Sequence, residues 1–289
     1  MSISVGIGLS FVAMLCWGIG DFFIQKGTRK VGNIETLFII CLFGSIVLFP
    51  FVWRDFGGIF DTADAFILFG GALILFVAAI LDFEALKIGK LSVVEPIWSL
   101  EIPAAAVLAF VVLGETIFAF QTAVIVLLVA GLMLVSFKEK YSVKKFLVEK
   151  GVFLAFFAAF VMGVANFFIG WGSRISDPLM VNFVINSVIV LLTGIHLLAR
   201  GHLGKTFKDF RRNAGLFLPM AIADNSAWVA FAFAMSIAPI AIAVALSESY
   251  IIVAVLLGLF VNKERLQRHQ KFGLVLALLS AVVLAGVTI

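Results

Sequence analysis

Gly18-Ile19-Gly20-Asp21-Phe22-Phe23-Ile24 lies inside one long apolar run, and Gly163-Val164-Ala165-Asn166-Phe167-Phe168-Ile169 lies in the same frame inside another. A second pair of segments repeats at a similar spacing. Ala85-Leu86-Lys87-Ile88 through Leu113-Gly114-Glu115 corresponds to Ala234-Met235-Ser236-Ile237 through Asn262-Lys263-Glu264. Self-similarity at one period marks a duplicated structural unit. Apolar runs bounded by charges, Gly or Pro number five before the polar stretch 138–150 (3–25, 34–53, 63–86, 91–113, 117–137) and five after it (151–173, 178–199, 213–237, 239–261, 267–287). The unit is therefore a set of five apolar helices, present once in residues 1–137 and again in 151–289, joined by a lysine-rich linker at 138–150.

Composition fixes the environment of these helices. Of 289 residues, 63% are hydrophobic and 13% charged, with a mean hydropathy of +1.19, against about 45–50% apolar and 25% charged in a soluble domain. A soluble globular protein is excluded. A bilayer-spanning helix takes about 20 apolar residues, so ten crossings use roughly 200 positions and leave only loops. The 32 Phe against 2 Tyr suit hydrocarbon, because Phe carries no hydroxyl needing a partner there. Cys16 and Cys41 both sit in apolar runs and build neither a disulfide framework nor a CxxC metal knuckle. The first span reads as a membrane helix rather than a cleaved leader, since no basic residue precedes it and its apolar stretch is long.

The net charge of +4 is dispersed between apolar spans, which argues against a nucleic-acid partner. Its distribution is topological. An odd number of helices per copy makes the second copy enter the bilayer from the opposite side. Of the 21 Lys and Arg residues, all except Arg54 and Arg174 fall in odd-numbered connections. The positive-inside rule then places the odd loops in the cytoplasm and both chain ends outside, in a plasma or inner membrane. The expected fold is an all-α integral membrane protein of ten transmembrane helices, arranged as two inverted five-helix repeats.

Acids at membrane depth carry the functional signal, because Asp or Glu at a helix centre costs about 2.5–3.5 kcal/mol on insertion scales. Asp82, Glu84, Glu95, Glu101, Asp224 and Glu248 stand out, with Asp21 nearer the end of its span, while no Lys or Arg occupies the middle third of any span. His196 is the one candidate buried imidazole. Such acids either hold protons, since burial disfavours the charged form, or are neutralised by a cation from outside. Glu101 with Trp98 in span 4, and Glu248 with Ser247, Ser249 and Tyr250 in span 9, form the best-placed group. In the repeat alignment Glu101 falls opposite Tyr250 and Ser99 opposite Glu248. Two equivalent helices thus each bring a carboxyl and an aromatic group to mid-membrane, where inverted-repeat transporters hold substrate. Trp98, Trp228 and Tyr250 are the expected walls, since an aromatic face attracts a cation by roughly 0.5–2 kcal/mol. Asp224 and Glu95 complete the candidate set.

Structural roles compete with these. Glu95 precedes Pro96 and serves equally well as a helix cap. Asp82 reads better as a snorkelling acid or a partner of Lys87 or Lys90 than as a ligand group, and Glu84 can pair with Lys87. Asp21, Asn166 and Asp224 suit interhelical hydrogen bonding. Pro96 and Pro103 bend span 4, as a static kink or as a gating hinge. Gly273, Ala277, Ala281 and Ala285 form a small-residue stripe in span 10, read as packing on a neighbouring helix of the same chain. Ala199-Arg-Gly-His-Leu-Gly204-Lys205-Thr206 has no strand before it and reads as a basic cytoplasmic loop rather than a phosphate-binding loop. No metal-ligand spacing, GxSxG or DDxxD motif occurs, so neither an enzyme nor a cofactor is expected.

With Trp17 through Lys26, Ala85 through Val94, Pro103, Leu113-Gly114-Glu115, Ala234 through Ile237 and Lys263-Glu264-Arg265-Leu266, the chain resembles the EamA family of the drug/metabolite transporter superfamily. That resemblance implies ten helices around a central cavity and transport by alternating access, often export. Two features depart from the family pattern: Ile251 and Ile252 stand where the second copy would repeat the fourth-helix proline, and Glu101 and Glu248 stand where apolar or aromatic residues are commoner. The expected function is proton-coupled export of a cationic or zwitterionic small molecule, with protons as coupling ion. The alternatives are transport of neutral amino acids or sugars with the acids permanently protonated, and a non-transporting receptor or assembly factor. The sequence leaves monomer and homodimer open.

Overall fold

The computed structural model describes residues 2–55, 57, 62–88, 97–136, 151–260 and 266–289. All its longer elements are helices, and no strand occurs among the described residues. In chain order they are α1 (Ile3–Val31), α2 (Asn33–Val52), α3 (Thr62–Ile88), α4 (Glu101–Leu113), α5 (Ala119–Ser136), α6 (Val152–Ile175), α7 (Pro178–Ala199), α8 (Leu203–Arg212), α9 (Ala214–Ile237), α10 (Ile240–Ser247), α11 (Tyr250–Phe260) and α12 (Arg268–Thr288). Seven are long and apolar enough to cross a bilayer, namely α1, α2, α3, α6, α7, α9 and α12, and shorter apolar helices accompany them. The expected linker 138–150, Glu95, Lys90, the Lys87 side chain and the Lys263-Glu264 motif lie outside the described residues, so the proposed pairs of Asp82 and Glu84 with those lysines do too.

Local chemistry sets several helix limits. Asp177 has extended backbone and its Oδ1 accepts from the backbone N–H groups of Leu179 and Met180 at 2.8 and 3.4 Å, with Pro178 following, so α7 starts with a capping acid and a residue that needs no donor. Gln267 and Gln270 form a reciprocal capping box on α12. Gly114 ends α4 with φ +65°, a left-handed position that favours glycine, and the Glu115 N–H reaches back to the Ala109 carbonyl.

The packing follows the duplication. α1 packs on α9, and its counterpart α6 packs on α3. Likewise α4 packs on α6, while α10 and α11 pack on α1. The equivalent pairs α2 with α7, α5 with α12, and α4 with α10 also touch. Exchanging the two copies maps these contacts onto one another. Gly18 and Gly163 occupy equivalent close approaches: a Cβ on Gly18 would meet Val253 and the Tyr250 carbonyl, and one on Gly163 would meet Ala104 and the Glu101 carbonyl. The small-residue stripe of α12 is buried against α5, with Gly273 facing Gly131 and Val135 backbone, as expected of an intrachain packing face. Large apolar side chains such as Phe51, Phe66, Phe153 and Phe272 point outward. That arrangement fits lipid and not water.

Two expectations change. The segment after span 7 is not a loop but α8, a ten-residue amphipathic helix whose Phe207 and Phe210 rings pack on Phe38 and Phe217 while Lys205, Lys208, Arg211 and Arg212 are exposed. Gly201 just before it, Gly204 in its first turn and the density of basic residues mask its apolar period in the sequence. His196 is exposed at the end of α7 and offers no buried imidazole.

Candidate functional site

Spans 4 and 9 both break at equivalent places. Ile97 and Trp98 are helical, Ser99 and Leu100 form a turn, and α4 begins at Glu101. In the second copy α10 ends at Ser247, Glu248 and Ser249 form the turn, and α11 begins at Tyr250. Pro103 explains the first break, since it cannot donate to the carbonyl four residues earlier. The second needs no proline. There the Ser249 hydroxyl donates to the Ala245 carbonyl at 2.8 Å and the Ile252 N–H turns to the Ser249 carbonyl at 2.9 Å, an instance of serine competing with the helix for its own backbone. Ser247 donates to the Ser10 carbonyl of α1 at 3.4 Å. Both serine hydroxyls are thus engaged with backbone.

The breaks place Glu101 and Glu248 inside the helix bundle, 5% and 7% exposed. Asn166 of α6, 1% exposed, donates through Nδ2 to Glu101 Oε2 at 3.3 Å. The Glu101, Glu248 and Asp82 carboxyl groups lie close enough for their charges to interact, and Asp21 approaches Glu101 and Tyr250. Among the described residues no Lys, Arg or His pairs with Glu101, Glu248 or Asp82. Asp82 therefore shares the electrostatics of the acid cluster, a role beyond the snorkelling or lysine-paired one expected of it. Its Oδ1 is buried without a hydrogen-bond partner among the described residues. It sits near a helix end in the sequence, and in the fold, where α3 packs on α6, its Oδ1 is buried. Glu95 falls outside the described residues.

The aromatic wall differs from the expected one. Trp17 of α1 stacks edge-on with Trp228 and Phe231 at ring-centroid distances of 5.0 Å each, and with Tyr250 at 6.4 Å. Trp228 and Tyr250 were expected; Trp17 was passed over, although it directly precedes the repeated glycine motif. Trp98 instead packs among Ala85, Ile97, Val152, Ala155 and Ala159. Ala159 lies two helical turns, about 10 Å, below Asn166 along α6, and the Trp98 Nε1 is buried without a partner among the described residues. Asp224 has a specific neighbour, the Trp228 side chain one turn on, with which its carboxyl interacts. Its place is to hold that ring, with Asn182 Nδ2 donating to the Trp228 carbonyl at 3.4 Å. Below it, Asn186 donates to Asn225 at 3.1 Å, and Asn225 to the Ile40 carbonyl at 3.1 Å, joining α7, α9 and α2. The sequence reading overlooked these asparagines because a neutral amide carries no topological or charge signal.

At one end of the bundle a second polar assembly forms. The Arg174 guanidinium at the end of α6 pairs with Glu115 at 2.7 Å and donates to the Met235 and Ala238 carbonyls at 3.0 Å each. Both Glu115 carboxyl oxygens accept the Ile240 N–H, at 3.0 and 2.9 Å, capping α10. The Leu113-Gly114-Glu115 motif thus has a physical reason: the left-handed glycine turns the chain so that the acid reaches two other helix ends.

Among the described residues no group of three or more His, Cys, Asp and Glu could hold a metal ion. None of the curated proteins compared with the chain matches it significantly. A solved crystal structure matches with a TM-score of 0.75 at 14% identity, covering 98% of this chain and 97% of that one, a likeness of fold alone. The model of the EamA-like transporter family matches residues 4–137 and matches again at 149–286. With both copies of the duplicated unit matched, the chain belongs to the EamA-like transporter family, a multi-pass membrane protein of the drug/metabolite transporter type.

Proposed function

We propose that the protein is a proton-coupled secondary transporter exporting a cationic or zwitterionic small organic molecule by alternating access. In this reading the chain crosses the membrane ten times, with α4, α5 and the broken α10–α11 pair as the crossings that the seven long helices leave over. Residues 1–137 and 151–289 are two inverted halves around a central cavity, joined by a cytoplasmic linker at 138–150. The odd loops face the cytoplasm of a plasma or inner membrane and both ends face outward.

One observation carries the reading. Buried Glu101 and Glu248, with the half-buried Asp82 whose Oδ1 is buried, form an acid cluster that no cation pairs with among the described residues. Carboxylates whose charges act on one another in a low-dielectric interior repel, so the cluster stays neutral by holding protons or by accepting a positive ligand. The two states exclude each other at the same atoms, and that competition couples proton entry to cation exit. Both broken helices bear on it, Glu101 opening α4 and Glu248 sitting in the α10–α11 turn. Breaks of this kind at mid-span are the usual way a transporter frees groups for a ligand. Trp17, Trp228 and Tyr250 supply the aromatic face for the organic part.

The test is flux in proteoliposomes with an imposed pH gradient, using a panel of amines, amino acids and sugars. Glu101→Gln keeps the size and the hydrogen bond to Asn166 but removes the exchangeable proton. Expected is loss of pH-driven amine flux with normal folding. Undiminished flux in the variant, or pH-driven movement of sugars alone, would overturn the assignment.

A further inference from the structure

Resting on the proposed transport of a cation, we infer that the site selects ammonium groups bearing N–H bonds, primary and secondary amines, over quaternary ammonium ions. The hydrogen-bonding groups around Glu101, more than its charge, set this preference. Asn166 has two donors and an acceptor on its amide. Its Nδ2 is committed to Glu101 Oε2 at 3.3 Å. Its Oδ1 is buried and has no partner among the described residues, in a residue 1% exposed. The two amide heads share one carbon, so the unpaired oxygen lies beside the same acid cluster. The Asp82 Oδ1 is in the same condition, buried and without a partner, and interacts electrostatically with Glu101 and Glu248.

Among the described residues the orphaned oxygens of Asn166 and of the ionised Asp82 are acceptors, and the third orphaned buried atom, the Trp98 Nε1 donor, belongs to a ring one turn before Glu101 that packs on Ala85 and Ala159. A buried acceptor left unpaired costs as much as a lost hydrogen bond, and a site built to bond an N–H group rejects an analogue without one. A protonated amine places N–H donors against the carboxylates and the Asn166 Oδ1 together. A trimethylammonium group supplies the charge, and the aromatic faces of Trp17 and Tyr250 accommodate it, but its methyl groups seal off the Asn166 oxygen with nothing to bond. Charge and cation–π attraction are common to both ligands, so the amide oxygen decides between them.

The experiment is competitive binding to the full chain in detergent and competitive flux in proteoliposomes, with phenethylamine and its N,N,N-trimethyl derivative as probes. The expected result is binding of phenethylamine about tenfold tighter than of the trimethyl compound. Asn166→Leu, which removes the acceptor at similar size, is expected to weaken phenethylamine toward the level of the trimethyl compound and to leave the latter little changed. The wild-type comparison stands without the variant, should that variant fail to fold. Equal affinities, or preference for the trimethyl compound, overturn the inference while leaving cation transport intact. Failure of both probes to bind or to move overturns the transport reading and the inference with it.

Discussion

Removing the Glu115 carboxylate tests how the bundle is held at the end where Arg174 lies. Glu115 is 12% exposed and receives one guanidinium contact at 2.7 Å and the Ile240 N–H on both oxygens. Part of the ion pair faces solvent, so it contributes about 0.5–1 kcal/mol. The charge-assisted cap on α10 contributes about 1.5–3 kcal/mol, because Ile240 N–H has no other acceptor once the acid is gone. Glu115→Ala is therefore expected to cost about 2–4 kcal/mol, and Glu115→Gln, which retains an acceptor but not the charge, about 1 kcal/mol. Arg174→Gln is expected to be at least as costly as Glu115→Gln, since the Met235 and Ala238 carbonyls lose a donor as well. The assay is reversible unfolding in mixed detergent micelles, run as a double-mutant cycle with a coupling of about 1 kcal/mol expected between the two side chains. A Glu115→Ala cost below about 0.5 kcal/mol, or additive single variants, would refute the idea that this assembly ties the ends of α6, α9 and α10 together.

Two further outcomes follow from the packing and the charge pattern. Gly163→Val places a Cβ 2.5 Å from the Ala104 Cβ and 2.8 Å from the Glu101 carbonyl, so thermal stability in detergent should fall by about 1–3 kcal/mol or more, and an unchanged melting temperature would contradict the close approach of α4 and α6. In a background with Cys16 and Cys41 replaced by Ser, Thr116→Cys should react with a membrane-impermeant maleimide in intact cells and Lys208→Cys only after permeabilisation; the reverse pattern would invert the orientation proposed here.

Much of the architecture was legible in the chain because hydrophobic runs, loop charge and the two copies of the glycine motif are local or periodic signals. Glu101 and Glu248 were legible for a related reason, as acids in apolar runs have few explanations. What escaped the sequence depends on tertiary contact. Asp82 looked like a helix-end acid until α3 packed on α6. Asn166 is set apart from the other amides only by an unpaired oxygen. Trp17 and Trp98 exchanged expected places because spacing along one helix says little about which face meets the aromatic cluster. The partnership of Glu115 with Arg174 joins residues far apart in sequence, and each alone read as a motif residue or a stray charge. The break at Glu248-Ser249 was missed for want of a proline, although a Ser-Glu-Ser run supplies side chains able to disturb a helix.

The central claim is that one buried carboxyl cluster exchanges a proton for a positively charged ligand, and it is tested most directly by measuring protons released when an amine binds the purified protein in weakly buffered detergent solution. The account predicts release of about one proton per amine bound, loss of that release in Glu101→Gln, and tighter amine binding as pH rises, because fewer protons then compete. Amine binding with no proton release, identical in wild type and variant and insensitive to pH, would contradict it.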